Sequence, residues 1–89
     1  MDLSIFGYYQ MEEILLGLER NLDVSVYTNP EFSNYQMEVI RLGLEKNLDV
    51  SVYAKPEYTH VQMEVIRLGL KNASGNTPKK INFRKEVSI

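Results

Sequence analysis

Apolar residues recur at helical spacing along the chain, with charged residues between them. In the segment 34–45 the apolar positions form two neighbouring stripes, Met37, Ile40 and Leu44 on one and Tyr35, Val39 and Leu42 on the other. The opposite side carries charged residues at i, i+3 and i+7, namely Glu38, Arg41 and Glu45. A wide apolar stripe with a charged reverse side is typical of an amphipathic α-helix. The pattern predicts a helix in this segment and in the segments that match it.

This pattern returns every 26 residues. Gln10, Gln36 and Gln62 each open the string Q-M-E, and the segments 10–35 and 36–61 are identical at 17 of 26 positions. A third copy begins at Gln62 and follows the second for nine residues. A repeat unit of this size cannot bury its apolar face alone, so successive units stack and share a core.

Each unit contains start and stop signals for a long and a short helix. Ser33 with Gln36 fits the capping box, in which a hydroxyl and a glutamine side chain satisfy the first backbone N–H groups. Asn47 tolerates the left-handed conformation that ends a helix. Asp49 then caps a short helix, and Pro56 ends it. The equivalent signals in the neighbouring units are Gly7, Asn21, Asp23, Pro30, Thr59 and Gln62.

Glycine recurs inside the long helices, at Gly17, Gly43 and Gly69. A glycine costs a helix about 1 kcal/mol relative to alanine. Its recurrence therefore predicts that a neighbouring helix packs closely over each of these positions.

The third copy leaves the repeat at Lys71. The segment 72–78 is rich in helix breakers, and we expect the third helix to end near Lys71. Residues 71–89 carry five Lys or Arg and one Glu, whereas residues 1–70 carry five Lys or Arg and eleven Asp or Glu. The chain thus combines an acidic body with a basic tail.

The predicted fold class is all-α, a small α-solenoid of alternating long and short helices with a 26-residue repeat. One helical-repeat domain would span 1–75, with repeats near 10–35 and 36–61 and a partial one at 62–75. Residues 76–89 would form a basic tail, either flexible or peripherally docked.

The segment from Gln36 to Tyr58 reads Q-M-E-V-I-R-L-G-L-E-K-N-L-D-V-S-V-Y-A-K-P-E-Y. It resembles a short helical repeat found in bacterial proteins, mainly of Gram-positive bacteria and their phages and mobile elements. The first copy departs from that repeat at Leu15, Thr28 and Asn29. The resemblance covers about 75 of the 89 residues and implies a helical-repeat fold. The association with mobile elements further implies a role against host defence.

Composition limits the chemistry that the chain can support. It has 89 residues, no cysteine and one histidine, His60, which excludes a disulfide framework and thiolate metal sites. We expect His60 to be exposed in the first turn of its helix. The repeated glutamates are interpreted as a solvated helix face rather than catalytic carboxylates; they are Glu12, Glu13, Glu38 and Glu64. We expect no enzymatic activity, no metal and no cofactor.

Two groups of residues are candidates for contact with a partner. Tyr27, Tyr53, Arg41 and Arg67 recur one repeat apart, and tyrosine and arginine are enriched at protein interfaces. The alternative interpretation of the tyrosines is packing between repeats. The second group is the basic and aromatic part of the tail, which is typical of a nucleic-acid contact: Lys79, Lys80, Phe83, Arg84 and Lys85.

The leading functional hypothesis is a non-enzymatic protein-binding module, in its concrete form a small phage or mobile-element inhibitor of a host defence nuclease. A self-associating structural repeat protein, including a homodimer, is the first alternative, because open repeat ends favour association. Nucleic-acid contact through the tail is the second. The chain has no long apolar run, so we expect no membrane contact and a cytoplasmic location.

Overall fold

A computed structural model describes residues 3–75, and this part of the chain is all-helical. Three α-helices alternate with two short 3₁₀ helices. In chain order they are α1 (Tyr8–Glu19), the first 3₁₀ helix (Val24–Val26), α2 (Asn34–Glu45), the second 3₁₀ helix (Val50–Val52) and α3 (His60–Gly75). The all-α prediction is confirmed, as is the alternation of long and short helices within residues 3–75.

The predicted capping boxes start the long helices. The Ser33 hydroxyl accepts a hydrogen bond from the Gln36 N–H at 3.1 Å, and the Gln36 side-chain oxygen accepts one from the Ser33 N–H at 2.8 Å. Thr59 and Gln62 repeat this arrangement at 3.1 and 2.9 Å. Gly7 has no hydroxyl to contribute, so α1 keeps only the glutamine half of the pair.

The predicted helix ends are also confirmed for α1 and α2. Asn21 and Asn47 adopt φ values of 59° and 58°, in the left-handed region. The N–H of Leu48 then bonds back to the Gly43 carbonyl at 3.0 Å, which satisfies a carbonyl at the end of α2. The Asp49 carboxylate accepts from the Ser51 N–H and so caps the second 3₁₀ helix.

The end of α3 differs from the prediction. The helix runs to Gly75 and includes four of the residues that were expected to break it. Ala73 stands one repeat after Asn47, and alanine favours the helix and disfavours the left-handed conformation. The stop signal of α1 and α2 is therefore missing from α3.

Successive units pack in chain order, α1 against α2 and α2 against α3. The core between them is formed by Phe6, Ile14, Val24, Tyr27, Phe32, Met37, Val39, Ile40, Val50, Tyr53 and Met63. Capping glutamines add polar links, because the side chain of Gln10 donates to the Phe32 carbonyl and that of Gln36 to the Tyr58 carbonyl, both at 2.6 Å. Each capping glutamine thus joins its own helix to the turn before the next one.

Close packing over glycine is confirmed at two of the three predicted positions. A Cβ built on Gly43 would lie 2.6 Å from a Val50 methyl group and would collide with the Tyr53 hydroxyl, and Gly17 has the same relation to Val24 and Tyr27. The neighbour is the following 3₁₀ helix. At Gly69 the prediction does not hold among the described residues, because no atom of residues 3–75 lies within 4 Å of the built Cβ and no third 3₁₀ helix lies in this range.

Candidate protein-interaction surface

Tyr27 and Tyr53 are core residues, and each ring packs on the long helix of its own repeat rather than facing a partner. Both are 0% exposed. Their hydroxyls donate to backbone carbonyls of the preceding helix, at 2.6 Å to Glu13 and 2.9 Å to Val39. Burial raises the pKa of each tyrosine to about 12, an effect that the neighbouring arginine opposes. In this structure neither ring is available to a partner.

Arg41 is buried in an ion-pair network between α1 and α2. Its guanidinium donates to Glu13 at 2.7 Å and also pairs with Glu45, which in turn meets Arg20 at 3.2 Å. Burial disfavours the charge of Arg41, but the hydrogen bonds to Glu13 and Glu45 outweigh it and raise the pKa of the guanidinium. This arginine links two helices rather than presenting its charge to solvent.

Arg67 occupies the same repeat position but makes a different contact. Val39 stands where the first repeat has Glu13, so α2 offers Arg67 no carboxylate at that position. Arg67 instead pairs with Glu64 of its own helix through two hydrogen bonds of 2.8 and 2.6 Å. These bonds lower the pKa of the Glu64 carboxyl. Arg67 remains partly exposed at the edge of the structure.

The tail candidates lie outside the described residues. Lys79, Lys80, Phe83, Arg84 and Lys85 therefore keep the status of sequence predictions, as does the tail 76–89 itself.

Exposed rings occupy the first turns of the three helices, in two contacting pairs. We call Tyr8, Tyr9, Tyr35 and His60 the aromatic ridge; each is exposed. Tyr8 and Tyr9 meet edge to face with centroids 5.2 Å apart, and Tyr35 and His60 are also 5.2 Å apart. The ring pairs hold one another on the surface, and rigid aromatic side chains lose little entropy when a partner covers them.

A shallow groove borders the ridge between α2 and α3. Its lining combines apolar and acidic side chains with one ring of the ridge, and consists of Glu38, Val39, Leu42, His60, Val61, Glu64 and Val65. Glu12 and Glu38 are exposed one helical turn along from Tyr9 and Tyr35. Aromatic faces beside carboxylates suit a partner that presents cationic groups, since both attract Lys and Arg.

The two outer helices leave apolar residues in solvent. On α1 these are Leu15 and Leu18, which together with Leu16 line a shallow depression; we call this the amino-terminal end face. On α3 they are Val65 and Leu68, which with Gly69 form the carboxy-terminal end face. The equivalent residues of α2 are partly or fully buried between its neighbours.

Within residues 3–75, no group of three or more acidic, histidine or cysteine side chains is arranged to hold a metal ion. None of the helices described is both long enough and apolar enough to cross a membrane. Glu13 and Glu64, two of the carboxylates considered for acid–base chemistry, are paired with arginines.

No protein-family model, curated protein or solved structure matches this chain. The proposed function therefore rests on the exposure, contacts and charge of the described residues.

Sequence reasoning missed the aromatic ridge, although its signal was present. Tyr9, Tyr35 and Val61 are 26 residues apart, and so are Tyr8, Asn34 and His60. Counting from the cap places both rows in the first helical turn. Tyr35 had been assigned to the apolar face of its helix, yet more than half of its surface is exposed. His60 is exposed in the first turn, as predicted.

Proposed function

We propose that this chain is a short α-solenoid that acts as a non-enzymatic protein-binding module, with the aromatic ridge and the adjoining groove as its contact surface. The observation that carries the proposal is the exposure of paired aromatic rings on the first turns of all three helices. Tyrosine is enriched among the residues that dominate binding energy, and repeat proteins commonly present such residues along a stacked surface.

The chemistry of the surface indicates the kind of partner. The described residues carry six Lys or Arg and ten Asp or Glu, a net charge of −4. Exposed carboxylates lie beside the ridge, so the partner would bring lysine or arginine side chains over the rings. We propose specifically that the chain inhibits a host defence nuclease in the cytoplasm. A nuclease presents a basic nucleic-acid-binding surface, and an acidic protein can cover it.

The test compares the ridge with another exposed site elsewhere. Tyr9→Ser with Tyr35→Ser removes two exposed rings, whereas Val52→Ser changes an exposed residue of the second 3₁₀ helix. The unchanged chain is used as bait in an extract of the presumed host, and the recovered protein is purified. Its affinity for the three forms of the chain is then measured by calorimetry.

We expect the ridge variant to bind at least about tenfold more weakly and the Val52 variant to bind normally, since loss of one hot-spot ring costs about 2 kcal/mol. Equal binding by all three forms would show that the ridge is not the contact surface. Direct binding of DNA or RNA by this chain alone, weakening as the salt concentration rises and unchanged in the ridge variant, would instead favour a nucleic-acid contact.

A further inference from the structure

We infer that the carboxy-terminal end face binds the amino-terminal end face of a second copy of this chain, so that the copies assemble head to tail. This inference goes beyond the proposed function, because it rests on the outer faces of α1 and α3 rather than on the aromatic ridge, although Val65 also lines the groove. It rests on the α1–α2 and α2–α3 junctions inside the chain, which show the contacts that one unit makes with the next.

The amino terminus presents the part of a repeat that receives the preceding unit. In the turn before α1, the Phe6 N–H donates to the Leu3 carbonyl at 3.1 Å. The turns before α2 and α3 close in the same way, at 3.0 Å for both Phe32 and Tyr58. Helix α1 and its turn are therefore shaped like units that do have a neighbour in front of them.

The carboxy terminus of the described structure presents the complementary part. Gln10 and Gln36 each donate a side-chain hydrogen bond to the carbonyl that precedes the next helix cap. Gln62 holds the same position in α3, and its side chain is exposed. In a head-to-tail junction the carbonyl in register with the Gln62 amide is that of Phe6 in the second copy.

Side-chain chemistry at the junction also matches. Inside the chain, position 13 of one unit faces position 41 of the next, as the Glu13–Arg41 pair shows. One repeat further on, the same register relates Val39 to Arg67, and at a head-to-tail junction it relates Val65 to Leu15 of the second copy. Val65 is 67% exposed and Leu15 is 53% exposed, so the contact would remove two apolar side chains from water.

A junction of this kind joins two different faces, so each added copy leaves both faces open at the ends of the assembly. The mass of the assembly should therefore rise continuously with concentration rather than level off at a dimer. A two-fold dimer would bury the same face twice and stop growing.

The experiment uses the full chain and a charge exchange at the junction. Leu15→Arg places a guanidinium opposite Val65, and Val65→Glu places a carboxylate opposite Leu15. Val65→Glu alone desolvates an unpaired carboxylate on assembly. Leu15→Arg alone recreates the relation of Val39 to Arg67 at the α2–α3 junction, with Glu12 placed as Glu64 is for Arg67, and the double variant recreates the pairing of Glu13 with Arg41. Glu57→Lys is the control, because Glu57 and its repeat equivalent Glu31 are both exposed. Circular dichroism confirms folding, and sedimentation velocity measures mass from micromolar to millimolar concentration.

We expect Val65→Glu alone to weaken self-association at least about tenfold and the double variant to restore it, whereas Leu15→Arg alone and the Glu57 control should leave it largely unchanged. Gly69→Ala should leave it unchanged as well, because no tyrosine of the described chain is in register with Gly69 at this junction. A chain that stays monomeric at millimolar concentration, or a double variant no better than Val65→Glu alone, overturns the inference. Loss of association in Gly69→Ala also overturns it. That result would mean that an aromatic side chain other than those in register at this junction packs on Gly69.

Discussion

The contact between tyrosine and glycine is the most specific residue-scale feature of the structure. The ring of Tyr53 covers Gly43, and its hydroxyl bonds to the carbonyl four residues before that glycine, at Val39. A carbonyl oxygen has two lone pairs, so it accepts the tyrosine hydroxyl without giving up its helical bond. A side chain at position 43 would occupy the space of the ring, which explains a glycine inside an otherwise favourable helix.

This contact predicts opposite effects for the same substitution at two glycines. Gly43→Ala should destabilise the fold by about 1–3 kcal/mol, because the new methyl group collides with Tyr53 and with the stiff side chain of Val50. Gly69→Ala meets no atom of residues 3–75 within 4 Å and should stabilise the fold by about 1 kcal/mol through helix propensity. Urea unfolding of both variants is the measurement. Similar effects at the two positions would contradict the packing described here.

The two buried tyrosines predict a loss of stability in alkali. Their pKa values are about 12 in the fold and about 10 in the unfolded chain. Because the folded values are raised, the stabilisation is complete below pH 10 and is lost as the pH rises towards 12. In that window each ring should lower the free energy of unfolding by about 1.4 kcal/mol per pH unit.

Urea unfolding at a series of pH values above 9 tests this dependence, with Tyr53→Phe as the comparison. That variant should lose about 1 kcal/mol at neutral pH, the usual value of one hydrogen bond, and about half of the alkaline slope. An unchanged slope in the variant would show that other groups cause the alkaline loss.

At the scale of the elements, the capping glutamines do more than start helices. Gln36 accepts from the Ser33 N–H of its own cap, and its amide donates to the Tyr58 carbonyl at 2.6 Å and the Pro56 carbonyl at 3.2 Å. One side chain thus fixes the start of α2 and holds the turn that leads into α3. Gln62 makes the cap contact at Thr59, but no following turn exists within residues 3–75.

The difference between these glutamines predicts unequal losses. Gln36→Ala should cost about 2–3 kcal/mol, because it leaves partly buried backbone groups without a partner. Gln62→Ala should cost about 1 kcal/mol or less, since it removes one exposed cap bond. Thermal or urea unfolding decides between them. If both variants lose the same stability, the links between units contribute nothing beyond the cap.

Much of the element scale could be predicted from the sequence, since the signals are local. Ser33, Asn47 and Asp49 act through neighbouring backbone, and all three do what their residue types predict. What a side chain faces across units was not readable in this way. The periodicity places Tyr53 one repeat after Tyr27, but whether the row points inward or outward depends on the packing of the next unit.

At the scale of the whole molecule, departures from the repeat decide how the units hold together. Glu13 in the first repeat becomes Val39 in the second, and Glu45 becomes Lys71 one repeat later. The α1–α2 junction therefore contains an ion-pair network around Arg41. At the α2–α3 junction Arg67 is left to pair within its own helix. Apolar packing and the hydrogen bonds of Gln36 therefore hold α3.

This asymmetry predicts that the two arginines differ greatly in importance. Arg41→Met should destabilise the fold by about 3–5 kcal/mol, because it strands the carboxylate of Glu13 in a largely buried site. Arg67→Met frees only Glu64, whose side chain is 39% exposed, and should cost at most about 1 kcal/mol. The methionine keeps most of the apolar stem in both cases, so the comparison isolates the charge.

Chemical unfolding gives the two free energies, and amide hydrogen exchange shows where the loss falls. In Arg41→Met, exchange should accelerate in α1 and α2 together, because the network joins them, whereas Arg67→Met should affect the surface turns of α3 alone. Equal destabilisation by the two substitutions would mean that the pairing across the α1–α2 junction adds nothing to the fold. A partner that lost affinity only for Arg67→Met would show that this arginine acts at the surface, as its repeat position first suggested, while Arg41 is structural.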